Sequence, residues 1–142
     1  MATTASVSVA ELQYITAQAY VGKSFAVALI NSPGTTFTPS DSLSTVLANE
    51  VASGTGGYAR QTISYASGDV QGFVSNTIPL ARKAAVFTHD GGTAYSFSHV
   101  AVIRSGSTPS VVAVTALVAP ATLADGNQAV FYIDAATGRV VG

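Results

Sequence analysis

At 142 residues the chain has the length of one domain, enough to bury a core without metal or disulfide support. Only 9% of its residues are Asp, Glu, Lys or Arg, against about 25% in ordinary soluble domains, and the net charge is −1. So few cations exclude the basic stripe that tracks a phosphate backbone, and the absence of Cys excludes thiolate catalysis and Cys-ligated metals.

The sparse charge carries the first expectation about function. A free monomer normally surrounds itself with ionised side chains, which keep its surface hydrated and copies apart. Here that work falls to Ser, Thr, Asn, Gln and Gly, a surface suited to burial against other subunits. The longest apolar runs, residues 25–30 and 111–118, fall far short of the roughly 20 residues of a membrane helix, so no membrane is expected. Residues 1–13 lack a basic start and a continuous apolar run, so no secretory signal is expected either.

Residues 1–10 read as a flexible or docking arm, in which Val7 and Val9 alternate as they would in a strand added to a partner's sheet. Residues 11–142 read as a single β-rich domain. Residues 11–20 place Leu12, Ile15 and Ala19 at helical spacing, with Gly22 as a stop, although a strand carrying Tyr14 and Thr16 is the alternative. Residues 24–31 are almost continuously apolar, as a strand covered on both faces would be. A helix should follow the loop at 32–40, with Thr38 as its cap, Pro39 at its first position and Asp41 near its positive end. Leu43, Val46, Leu47 and Val51 give it one apolar stripe, and Gly54, Gly56 and Gly57 end it.

From Tyr58 onward the period becomes two. Residues 60–66 set Gln61, Ile63 and Tyr65 on one face. A turn at 67–69 leads into a possible strand over 70–77, with Gly72 a bulge. Residues 83–89 form a strand ending at Asp90-Gly91-Gly92, a hairpin signal that should fold 95–104 back against it. Residues 110–118, apolar on both faces, read as a central strand that Pro120 stops. A turn at 124–127 leads into a strand over 129–134, and 140–141 leave room for an edge strand. The fold class is mainly β, sandwich or jelly-roll-like, with one or two short helices in the N-terminal third.

No constellation reads as an active site. Gly22-Lys23-Ser24 imitates the end of a phosphate loop, but Ala17 stands where a glycine is needed and a strand follows. Gly54-Thr-Gly56-Gly57-Tyr-Ala59 fits a permissive dinucleotide pattern, yet here a helix precedes the glycines and a strand follows, so no helix N-terminus meets a pyrophosphate. His89 and His99 would approach one another across the expected hairpin, without a defined third ligand for a metal. The acids, among them Glu11, Glu50, Asp69, Asp90 and Asp134, show no catalytic pairing. No nucleophile elbow occurs. The expectation is a protein without catalytic, cofactor or metal residues. Tyr58 and Arg60 join Val7 and Val9 as interface candidates, because Tyr and Arg dominate binding hot spots.

The strand Val27-Ala-Leu-Ile30, the helix over 41–51 and the glycine junction reaching Tyr58 and Arg60 resemble a group of short tailed-phage virion proteins. The doubled Gly56-Gly57 departs from that group's single-glycine junction. The likeness spans residues 23–104, and such proteins serve as head decoration or cement (knob) proteins or sit with tail fibres. It implies a capsid decoration protein on the virion exterior, assembled in the host cytoplasm. There it would be a homo-oligomer, with a trimer favoured, bound to the major capsid protein and stabilising the head. A tail or fibre component in host attachment and a carbohydrate-binding β-sandwich module are the alternatives.

Overall fold

The computed structural model describes residues 8–74 and 77–134, and the backbone of 136–138. Where a single domain was expected, contacts divide the chain into two compact units. One takes the described residues of Met1–Ser24, Ser64–Lys83 and Tyr132–Gly142, and the other takes Phe25–Ile63 and Ala84–Phe131. Among the described residues the fold is mainly β with two short α-helices, as the sequence indicated.

The first unit opens with α1, Val9–Tyr20. Ser8 caps it, its hydroxyl accepting from the Glu11 N–H at 3.1 Å, and Glu11 sits in the first turn where a negative charge meets the helix dipole. Leu12 and Thr16 share the buried face, and Thr16 satisfies its hydroxyl by donating to the Leu12 carbonyl. Helix therefore prevails over the strand alternative. Val9 starts this helix and no extended arm, while Val7 lies outside the described residues. The unit also holds an antiparallel pair of β3, Thr77–Pro79, with β8, Ala136–Gly138. Over residues 70–74 the strand expected at 70–77 does not form: Val70 and Val74 make isolated bridges, to Leu80 and Thr77. Residues 140–141, expected as an edge strand, lie outside the described residues.

The second unit is built on a four-stranded sheet in the order β2-β1-β5-β6: Gln61–Ser64, Ser24–Ile30, Tyr95–Arg104 and Ser110–Leu123. β1 and β5 are central and buried on both sides, which explains their unbroken apolar composition. α2, Leu43–Leu47, covers one face through Val46, which packs with Ala28, Ile30, Ala101 and Ile103. It is shorter than the helix expected to reach Val51, and Ser42 caps it, not Thr38. The Thr38 N–H instead donates to Asp41 Oδ2, closing a turn before the helix. Residues 49–51 leave the helix because β1 needs them. The Asn31 N–H donates to the Asn49 carbonyl, and the Val51 N–H to the Leu29 carbonyl.

β4, Lys83–Thr88, does not pair with β5 as the Asp90-Gly91-Gly92 signal suggested; it pairs with β7, Gln128–Ile133. An aromatic core joins this small sheet to the larger one. Phe87 stacks on Tyr58 at 6.0 Å, and Phe131 meets Phe87 and Phe97 edge-on at 6.0 and 5.8 Å. The loop after β4 is held elsewhere: the Asp90 N–H donates to the Gly56 carbonyl. Gly56 and Gly57 have φ of 56° and 78°, which glycine alone adopts freely. A Cβ on Gly56 would strike the His89 ring and the Thr93 carbonyl. The doubled glycine is the seat of the 89–93 loop.

Gly56→Ala should therefore cost about 2–5 kcal/mol through steric overlap plus left-handed strain. Gly54→Ala, at φ 87° but with open space around it, should cost only about 1–2 kcal/mol. Equilibrium urea unfolding of the two variants checks the contrast.

Candidate functional site

Two strand edges meet the solvent side of the larger sheet, and they are treated oppositely. Beyond the four residues of β2, the edge of β1 is closed by residues 49–58. Besides the two backbone bonds already described, the Leu29 N–H donates 3.1 Å to the Tyr58 hydroxyl. That hydroxyl donates in turn to Glu50 Oε2 at 2.8 Å, and Arg60 grips the same carboxylate through both oxygens at 2.7 Å. Tyr58 is 3% exposed, so this interface candidate is a core residue whose polar tip finishes a strand. Arg60 remains partly exposed, with its guanidinium committed to Glu50.

These bonds set the local protonation. Burial alone would raise the Glu50 carboxyl, but bonds from Arg60 and Tyr58 and the Arg60 charge outweigh it and hold the group below the usual carboxylate range. Burial, opposed by the Leu29 N–H and reinforced by Glu50, pushes the Tyr58 phenol well above its ordinary value. A proton sits on Tyr58 and a charge on Glu50, an arrangement that holds structure and leaves no base free.

The opposite edge is open. β6 was expected to be central and covered on both sides, yet it is the sheet's last strand and its side chains are largely exposed. Among the described residues its one strand partner is β5. Nor does Pro120 stop it. Between the pairs Phe97↔Ala121 and His99↔Ala116, β6 carries residues 117–120 against the single Ser98 of β5. Those residues leave the ladder as a bulge, where the missing N–H of proline costs no strand bond. Val118 at its crest is exposed to 110% of the reference value, and Val112, beside a second register shift, to 37%. A groove of about 590 Å³ with a mixed lining runs alongside, walled by Phe37, Leu43, Val46, Val111 and Val114 together with the polar Thr38, Asp41 and Ser42.

No ionisable side chain lies between Arg104 and Asp125. Soluble sheets ordinarily guard such an edge with lysine, shortness or a covering loop. This edge has a bulge but no charge. The sequence signal was present, since a strand apolar on both faces asks for cover. Among the described residues no second strand covers it. The exposure of Val112 and Val118 runs against the sequence reading, which assigned the apolar run to the core.

The histidines do not meet. His89 Nδ1 accepts from the Gly91 N–H at 2.9 Å, so Nε2–H donates to the Thr93 carbonyl at 2.8 Å. His99 Nε2–H donates to the Thr35 carbonyl at 3.0 Å, leaving Nδ1 to accept from Ser98. Both rings are buried, and each holds a loop against the sheet. No group of three or more metal-ligating side chains occurs among the described residues. Among the described residues no helix is long and apolar enough to cross a membrane. No protein-family model, curated protein or solved structure matches the chain.

Tyr58→Phe leaves the buried Leu29 N–H without its acceptor and should cost about 1–3 kcal/mol. Tyr95→Phe should cost less, because the buried Tyr95 hydroxyl has no hydrogen-bond partner among the described residues. Thermal unfolding against pH separates the ionisations. The Glu50 contribution is present above the ordinary carboxylate range and lost as pH falls through its depressed value, so Glu50→Gln should flatten the acid limb. The neutral Tyr58 contribution is complete below about pH 10 and lost as pH rises beyond it, so Tyr58→Phe should flatten the alkaline limb.

Proposed function

We propose that this chain is a structural subunit of a protein shell, a phage capsid decoration protein that binds the outer lattice and stabilises the head without catalysis. The open edge of β6 is the observation that carries this reading. Its fourteen strand residues are uncharged and mostly exposed, a surface that docking on another molecule would cover. The scarcity of charge over the whole sequence points the same way, since a net charge of −1 opposes neither self-association nor docking on a neutral lattice. The resemblance of residues 23–104 to tailed-phage virion proteins supports a capsid lattice as the partner.

A static role also suits the polar groups. Glu50, Tyr58, Arg60, His89 and His99 all spend their hydrogen bonds on loops and strand edges of their own chain. Many copies on a symmetric lattice turn modest contacts into firm attachment. Head stabilisation would then come from contact area added between capsid subunits.

The test is made on particles. Heads assembled with the chain should carry it at regular positions on their outer surface and should survive heat or osmotic shock better than heads assembled without it. A handful of copies at the tail, with unchanged head survival, would overturn the reading in favour of a fibre component.

A further inference from the structure

We propose that His89 is a pH-sensitive latch: its neutral imidazole ties three loops together, and protonation of that ring opens the corner where they meet. The latch is independent of the structural-subunit reading above.

The three loops converge on one ring. His89 directly follows β4 and is 2% exposed. Its Nδ1 accepts the Gly91 N–H at 2.9 Å and faces the Gly126 N–H at 3.5 Å, while Nε2–H donates to the Thr93 carbonyl at 2.8 Å. Gly56 lies so close to the ring that a Cβ there would overlap Nε2 and Cδ2. The backbone repeats the connection. The His89 N–H donates to the Asn127 carbonyl and the Asp90 N–H to the Gly56 carbonyl, each at 2.9 Å. The glycine junction, the 89–93 loop and the turn at 124–127 therefore share one buried side chain.

Only one protonation state fits that side chain. A neutral imidazole has one nitrogen that accepts and one that donates. Here backbone donors claim Nδ1 and a backbone acceptor claims Nε2. A second proton can go only to Nδ1, where the new N–H would point at the Gly91 N–H with that of Gly126 beside it. The Gly91 amide would lose its acceptor, the new donor would have no partner, and a charge would sit in a buried site. All three effects favour release of the ring to water.

The ionisable groups around the ring do not reverse this. No Lys or Arg lies in residues 54–59, 84–103 or 105–134. The titratable groups on the packed loops and on β5 beside them are Asp90, Asp125 and Tyr95. The two carboxylates favour a charged ring, but both residues are exposed, so water screens them. Asp90 Oδ1 is also committed to the Gly92 N–H at 2.7 Å. The Tyr95 ring lies 5.6 Å from the imidazole, and burial pushes its phenol up, so it stays neutral in acid. The conflict between donors acts at hydrogen-bond distance inside the protein, and it decides the outcome.

His99 supplies the contrast within the same unit. Its Nδ1 faces a hydroxyl, and Ser98 Oγ can turn its own proton to the Ile30 carbonyl at 3.3 Å. That oxygen can then accept from a protonated ring as well as from the Ser32 N–H. A charged ring at position 99 keeps every partner. Acid should open the His89 corner and leave His99 seated.

Hydrogen exchange on the full chain between about pH 7 and pH 5, where histidines ordinarily titrate, reads the latch directly, each amide being compared with an unfolded peptide at the same pH. The His89, Asp90 and Gly91 amides should lose protection with a slope of about tenfold per pH unit, that of one proton taken up on opening. The Val100 and Ala101 amides in the central strand β5 should keep theirs. Glu50, held below the usual carboxylate range, stays charged throughout. His99→Gln should leave the acid opening as it is, and His89→Gln should make the protection of the corner independent of pH. Nitrogen NMR of the His89 ring in the unaltered chain covers a His89→Gln variant that does not fold, because opening and ring protonation should share one midpoint.

Protection of the corner that does not change between these pH values overturns the latch. So does an acid loss that persists in a folded His89→Gln chain, or one whose midpoint departs from that of the His89 ring. The particle experiment stands apart from either result.

Discussion

Every strand has two edges, and each buried N–H and C=O on them needs a partner. That requirement shapes this molecule more than any single residue does. Along β1 it is met inside the chain: two backbone bonds from residues 49–51 and the Tyr58 hydroxyl complete the edge where β2 runs out. Along the outer side of β6 no strand among the described residues meets it, and the edge is exposed. The first edge fixes the helix length, the glycine junction and the Glu50–Arg60 pair. The second is an exposed, uncharged edge on which the proposed function rests.

The two edges also explain which parts of the fold were legible in the sequence. β1, β2, β7 and the turn at residues 124–127 are local events, written in alternation, apolar runs and turn residues. Asp125 and Gly126 have positive φ, as their turn chemistry required. What could not be read locally was pairing. α2 stops at Leu47 because the chain beyond it is drawn onto β1, and no helical period records that demand. Asp90-Gly91-Gly92 has the composition of a hairpin. The loop is nevertheless claimed by Gly56 and His89, so β4 turns to β7.

Of the interface candidates, Tyr58 and Arg60 spend their hydrogen bonds on partners within the chain. Their bonds to Leu29 and Glu50 cross gaps of 29 and 10 residues, beyond the reach of spacing arguments. The misassigned β6 is more instructive. A strand apolar on both faces signals two coverings, and the sequence cannot say whether the second comes from its own sheet or from another molecule. A local rule broken without an internal compensation is where function is expected to lie.

Hydrogen exchange at individual amides puts the contrast between the two edges to the most direct test. In dilute solution, the Leu29 amide, which faces Tyr58, should be protected. The amides of β6 that point away from β5 should exchange freely. On assembly, those same β6 amides should become slow while β1 stays unchanged. Outward β6 amides that are already protected in the dilute monomer, or that remain fast in the assembled state, would contradict an edge left open for a partner.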